Sequence, residues 1–161
     1  GLVENMDLVD NMMLRSYQKG KNHFFLNREK PKALADDVVR ELEVSTPSVY
    51  TSVRTLSGGN VQKVLVGREI AASPKVLMVA YPVRGLDINS SYIIYNLLNE
   101  QKKKGVSVIY VGEDLDVLLA LCDRIVVLSS GKVSGIVDAR TTTKSEVGML
   151  MVKETEVGKD E

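Results

Sequence analysis

Apolar side chains follow two different rhythms along this chain. Up to residue 54 they recur every three or four positions: Val9, Met12 and Met13 follow the potential N-cap Asp7, and Ala35, Val38, Val39 and Leu42 follow Pro31. That spacing is one face of an α-helix and predicts helices over 7–19 and 31–43, the second opened by Pro31. Between them KGKNHFFLNREKP is polar and turn-rich.

From Thr55 onward the rhythm changes. KVLMVAY (75–81) and VSVIYV (106–111) are continuous apolar runs, and a helical segment over 90–104, closed by Gly105, lies between them. Strand, helix and strand in that order predict a β-α-β unit with parallel strands. A helix over 114–122 comes next. RIVVLSSGKVSGIV then has two β-rich runs around Ser129-Ser130-Gly131-Lys132, a hairpin signal. Thr143 and Glu146 stand at capping-box spacing, so a last helix is predicted to about Val152, and KETEVGKDE reads as a disordered charged tail. The fold class is α/β, with a helical part over 1–54, an α/β part over 55–152 and a tail over 153–161.

Composition narrows the chemistry. At 161 residues the chain is about one domain long, enough to bury roughly two-thirds of its unfolded surface. Its 21 basic and 21 acidic residues cancel, so no charge footprint favours nucleic acid or an anionic membrane as a direct partner. No apolar run approaches the ~18 residues that span a bilayer. Cys122 ends the apolar stretch VLLALC and reads as a packed, reduced thiol; His23 is the lone histidine and reads as a surface residue. No metal site is expected from such a set.

The stretch LSGGNVQK (56–63) carries more specific chemistry. Gly58 and Gly59 permit close backbone approach, and Ser57 puts a hydroxyl at the start of a helix, where free N–H groups and the helix dipole favour an anion such as phosphate. Ser-Gly-Gly alone is also an ordinary cap and turn. Here the helix is followed by the strand 75–81, Pro82 and RGLD (84–87). This ordered set resembles the signature motif, Walker B strand and D-loop of ATP-binding cassette (ABC) ATPases, and Asn60 with Gln62-Lys63 and Arg84-Gly85-Leu86-Asp87 is most similar to the importer branch for simple sugars and nucleosides. VIYVGEDLD resembles the family's switch-loop strand, RIVVLSSGKVSGIV its closing hairpin and the N-terminal helices its helical subdomain.

The resemblance implies part of a P-loop NTPase core with parallel strands plus an α-helical subdomain. It also implies that Ser57, Gly58, Gly59, Asn60, Gln62 and Asp87 meet ATP, with Mg2+, in an assembled transporter. Its partners would be a second ATP-binding domain and transmembrane permease subunits, on the cytoplasmic face of the cell membrane. Three positions depart from the family pattern. Ala80 and Tyr81 stand where Asp-Glu is usual before proline, and Glu113 stands at the switch histidine. Tyrosine, with a pKa of about 10, is a poor base at neutral pH, and Glu113 would repel a γ-phosphate. The same residues also fit plain local structure, as a strand end and as a helix N-terminal acid pair with Asp114.

No G-x-x-x-x-G-K-[ST] is present, and the chain opens at Gly1 without Met. The expectation is a later piece of a second, degenerate ATP-binding domain whose P-loop lies upstream, supplying its signature face to a partner and hydrolysing nothing alone. Residues 7–54 are expected to form a loosely packed lobe, and the α/β part to expose apolar edges. The alternative is a non-transport ABC-type scaffold or regulatory module.

Overall fold

The computed structural model of the chain describes residues 1–16 and 27–152. His23, the end of the helix expected over 7–19 and the tail 153–161 lie outside the described residues. The elements run α1 (Leu8–Ser16), α2 (Glu29–Glu41), α3 (Gly58–Ala71), β1 (Val76–Ala80), α4 (Ile88–Lys103), β2 (Ser107–Val111), α5 (Leu115–Leu121), β3 (Arg124–Ser129), β4 (Lys132–Asp138) and α6 (Lys144–Val152). They fall into two compact units, residues 1–109 and 110–161.

In the first unit, Asp7 caps α1 by accepting the Asp10 N–H at 2.7 Å. Asn11, fully buried, ties α1 back to the N-terminal segment through the Val3 N–H and the carbonyls of Val3 and Asp7. Helix α2 begins two residues before the expected Pro31. Proline is accommodated there because the first four N–H groups of a helix have no intrahelical acceptor; the Lys32 N–H is the first to reach back, to the Arg28 carbonyl. Arg28 itself spans Asp7 and Asp10, 3.0 and 2.7 Å away.

The end of α2 is shaped by its backbone. The Val44 N–H donates to the Val39 carbonyl and Glu43 has φ 50°, a Schellman-type ending with a glutamate where glycine is usual. Leu8, Val9, Met12, Ala35, Val38, Leu42, Val53 and Val64 form one core, with Ile93 and Leu97 of α4 packed against it. Helices α1, α2 and α3 therefore share a single apolar interior.

β1 and β2 are hydrogen-bonded neighbours and run parallel, α4 joining them. Leu77 is buried, whereas Val76 and Met78 on the other face of β1 are exposed. The continuous apolar run thus has one covered face and one open face. β1 stops at Ala80, one residue short of the expected end, because Tyr81 turns the backbone to φ 51°.

In the second unit, β3 and β4 form the expected antiparallel hairpin, with an irregularity in register between Val127 and Leu128. Ser130 and Gly131 have φ 49° and 75°, the paired positive angles of a tight hairpin turn. Ile125 and Val127 point to a core with Leu118, Ala139 and Val147, and Cys122 packs against it. α6 opens with the predicted capping box: the Glu146 N–H donates to Thr143 Oγ1 at 3.2 Å and the Thr143 N–H to Glu146 Oε2 at 3.3 Å. Among the described residues no helix is long and apolar enough to cross a membrane.

Candidate functional site

The site is built on the first turn of α3. Ser57 is its N-cap, in extended conformation, and its Oγ accepts from the Asn60 N–H at 3.4 Å and from Asn60 Nδ2 at 3.0 Å. The hydroxyl is the acceptor in both bonds, which leaves its own proton for an outside acceptor. A Cβ on Gly58 would meet nothing within 4 Å, so the helix start is uncovered at that residue. Free N–H groups, a donor hydroxyl and the positive end of a fourteen-residue helix converge there, a combination suited to an anion. Gln62 is half-buried within the helix.

Asn60 and Lys63 look away from the opening. Asn60 Oδ1 accepts from the Ser45 N–H at 3.0 Å, and Lys63 Nζ donates to the Glu43 carbonyl at 3.2 Å. Asn60 thereby bridges the Ser57 turn and the segment after α2. Lys63 was visible only as a motif letter, although it is 7% exposed. A lysine framed by the apolar Val61, Val64 and Val66 was the signal available.

Gly59 and the RGLD segment meet: a Cβ on Gly59 would stand 3.1 Å from Leu86 Cδ2. Asp87 caps α4, accepting from the Ser90 N–H at 2.9 Å and from Ser90 Oγ at 2.7 Å. These two bonds, backbone first, hold its carboxyl below the usual aspartate range, and the charge of Lys63 acts in the same direction. Asp87 is thus a carboxylate anchored at the start of α4.

At the tip of β1, Ala80 is exposed and offers no donor, Tyr81 is 44% exposed, and Pro82 behind them is buried. Neither Ala80 nor Tyr81 supplies the carboxylate oxygen that magnesium prefers. Among the described residues no group of three or more His, Cys, Asp or Glu side chains stands together to hold a metal ion. The tip does not fit Mg2+. Glu113 belongs to the second unit, where it is exposed and precedes Asp114, the N-cap of α5, which accepts from the Asp116 and Val117 N–H groups. The structure therefore joins Ser57, Gly58, Gly59, Asn60 and Asp87 in one unit and leaves Glu113 in the other.

A galactose/methyl galactoside import ATP-binding protein from Escherichia coli strain 536 is 38% identical over 148 residues, 91% of this chain. A counterpart from Salmonella typhimurium is 37% identical over the same span. The chain is homologous to ABC import ATP-binding proteins. It spans 29% of the length of these relatives. No protein-family model matches it. The ABC cassette fold is seen independently. A dimeric bacterial ABC transporter cassette superposes with a TM-score of 0.75 at 23% identity, covering 88% of this chain and 60% of that one. The ATP-binding subunit of an ABC transporter superposes at 0.76 with 20% identity, covering 95% and 65%. One such cassette was solved in a post-hydrolysis state bound to ADP and phosphate.

Proposed function

We propose that this chain is the later part of a degenerate ATP-binding domain in an ABC importer for simple sugars or nucleosides, and that its signature turn closes an ATP site cradled by a partner domain. In this reading Ser57, Gly58 and Gly59 face the γ-phosphate, while Gln62 and Asp87 support the turn and α4. Residues 1–54 act as the helical subdomain and 55–152 as signature helix and core. The assembly sits on the cytoplasmic face of the membrane through permease subunits, with Mg2+ held by the partner's residues.

One observation carries the reading: the anion-ready helix start at Ser57–Gly59 is intact, whereas the tip of β1 holds no carboxylate. A domain without hydrolytic residues of its own can still complete a neighbour's site. The changes at Ala80, Tyr81 and Glu113 also favour a second reading, a scaffold or regulatory module that takes no part in turnover.

The two are separated in the full-length transporter. Gly58→Asp places a negative charge where phosphate must approach, and the loss of one oriented contact typically costs roughly thirty- to a thousand-fold in rate. ATP turnover is expected to collapse, while Tyr81→Phe leaves it nearly unchanged. A folded Gly58→Asp transporter with wild-type ATPase and uptake rules out the clamp and leaves the scaffold.

A further inference from the structure

Lys63 is the one buried lysine among the described residues. Burying an ammonium is costly, and an apolar side chain of similar length avoids that cost. The charge must therefore have a task. Its Nζ donates to the Glu43 carbonyl, just past the end of α2, where the helix dipole is negative and a cation belongs. Glu43 is itself in left-handed backbone conformation, φ 50°, a geometry that a non-glycine residue adopts at some cost.

Three residues earlier on the same helix face, Asn60 holds the next part of that segment through the Ser45 N–H and also reaches Ser57 Oγ. Two parallel bridges thus run from the first turns of α3 to Glu43–Ser45. The asparagine reaches the cap hydroxyl directly. The lysine holds the Glu43 carbonyl, two residues before Ser45.

We infer that Lys63 is a positioning residue for the signature turn: by holding the Glu43 carbonyl it fixes the direction in which the Ser57 hydroxyl and the Gly58 and Gly59 amides point. This rests on the phosphate-clamp reading above. In that reading the nucleotide is held chiefly by the partner domain, so tilting the turn affects the reaction more than the affinity. A misplacement of about 1 Å can cost on the order of a hundredfold in rate.

The test uses the full-length transporter with Lys63→Met, which keeps length and loses charge, and Lys63→Arg, which restores a cation; Gly58→Asp is the reference. Steady-state ATP turnover and thermal unfolding are measured together. Lys63→Met is expected to lower kcat about tenfold or more with KM for ATP within about twofold and little change in Tm, and Lys63→Arg to recover most of the loss. Unchanged kcat in Lys63→Met, alongside collapse in Gly58→Asp, overturns the positioning role and keeps the clamp. Equal losses in Met and Arg variants, with a matching fall in Tm, reduce Lys63 to a fold-supporting residue and also overturn it. Full turnover in both Gly58→Asp and Lys63→Met removes the clamp reading itself.

Discussion

A Cβ on Gly59 would lie 3.1 Å from Leu86 Cδ2, while a Cβ on its neighbour Gly58 would touch nothing within 4 Å. The turn at the head of α3 is thus closed on the side of the RGLD segment and open on the other. Two adjacent glycines have different reasons to be small.

Neither glycine has a positive φ, so alanine at either position restricts the unfolded chain without backbone strain, a gain of about 0.4–1 kcal/mol. Gly58→Ala is expected to raise Tm. Gly59→Ala loses the gain because Leu86 must move, and recovers it in a Leu86→Ala background. Equal stabilisation by both alanines in the native background contradicts the contact.

Gly67 brings α3 close against α2. A Cβ there would stand 2.7 and 2.9 Å from the two methyls of Val38 and 3.0 Å from Leu42 Cδ1. Gly67→Ala is expected to destabilise by about 1–3 kcal/mol through overpacking, and Val38→Ala to offset part of that by making room. Denaturant unfolding of both single variants and the double variant reads the coupling; strict additivity argues against the contact.

The Asp87 cap predicts an acid-sensitive contribution. A carboxyl held low in the fold stabilises fully above its unfolded pKa of about 3.9 and loses that contribution as pH falls through the lower folded value. Asp87→Asn removes this dependence. The Tm advantage of the native residue is expected to be constant from about pH 7 to pH 5 and to shrink below about pH 4. An advantage that persists unchanged to about pH 2 means that Asp87 is not held low by Ser90.

The chain by itself is expected to show no ATP turnover and weak Mg-ATP binding, because Ala80 and Tyr81 supply neither metal ligand nor base. Calorimetric titration checks this directly. Binding at about micromolar affinity, worth roughly 8 kcal/mol, requires a nucleotide cradle within residues 1–161.

What the sequence made legible was mostly local. The Thr143–Glu146 capping box, the turn at Ser130-Gly131 and the cap at Asp7 are each decided by a few neighbouring side chains, and the structure has all three. The opening of α2 at Glu29 was hidden because Pro31 reads as a first helical residue, although any of the first helical positions dispenses with the amide. Long-range partners left no comparable trace. Nothing in LSGGNVQK says that Asn60 bonds to Ser45 or that Lys63 donates to the Glu43 carbonyl, since both depend on where the end of α2 arrives.

The turn at the end of β1 also offers an optical use. The chain contains no tryptophan, and Tyr81 stands 44% exposed at the strand tip. Tyr81→Trp would place the chain's sole indole there, and its emission would report solvent access at the tip of β1 without an attached dye.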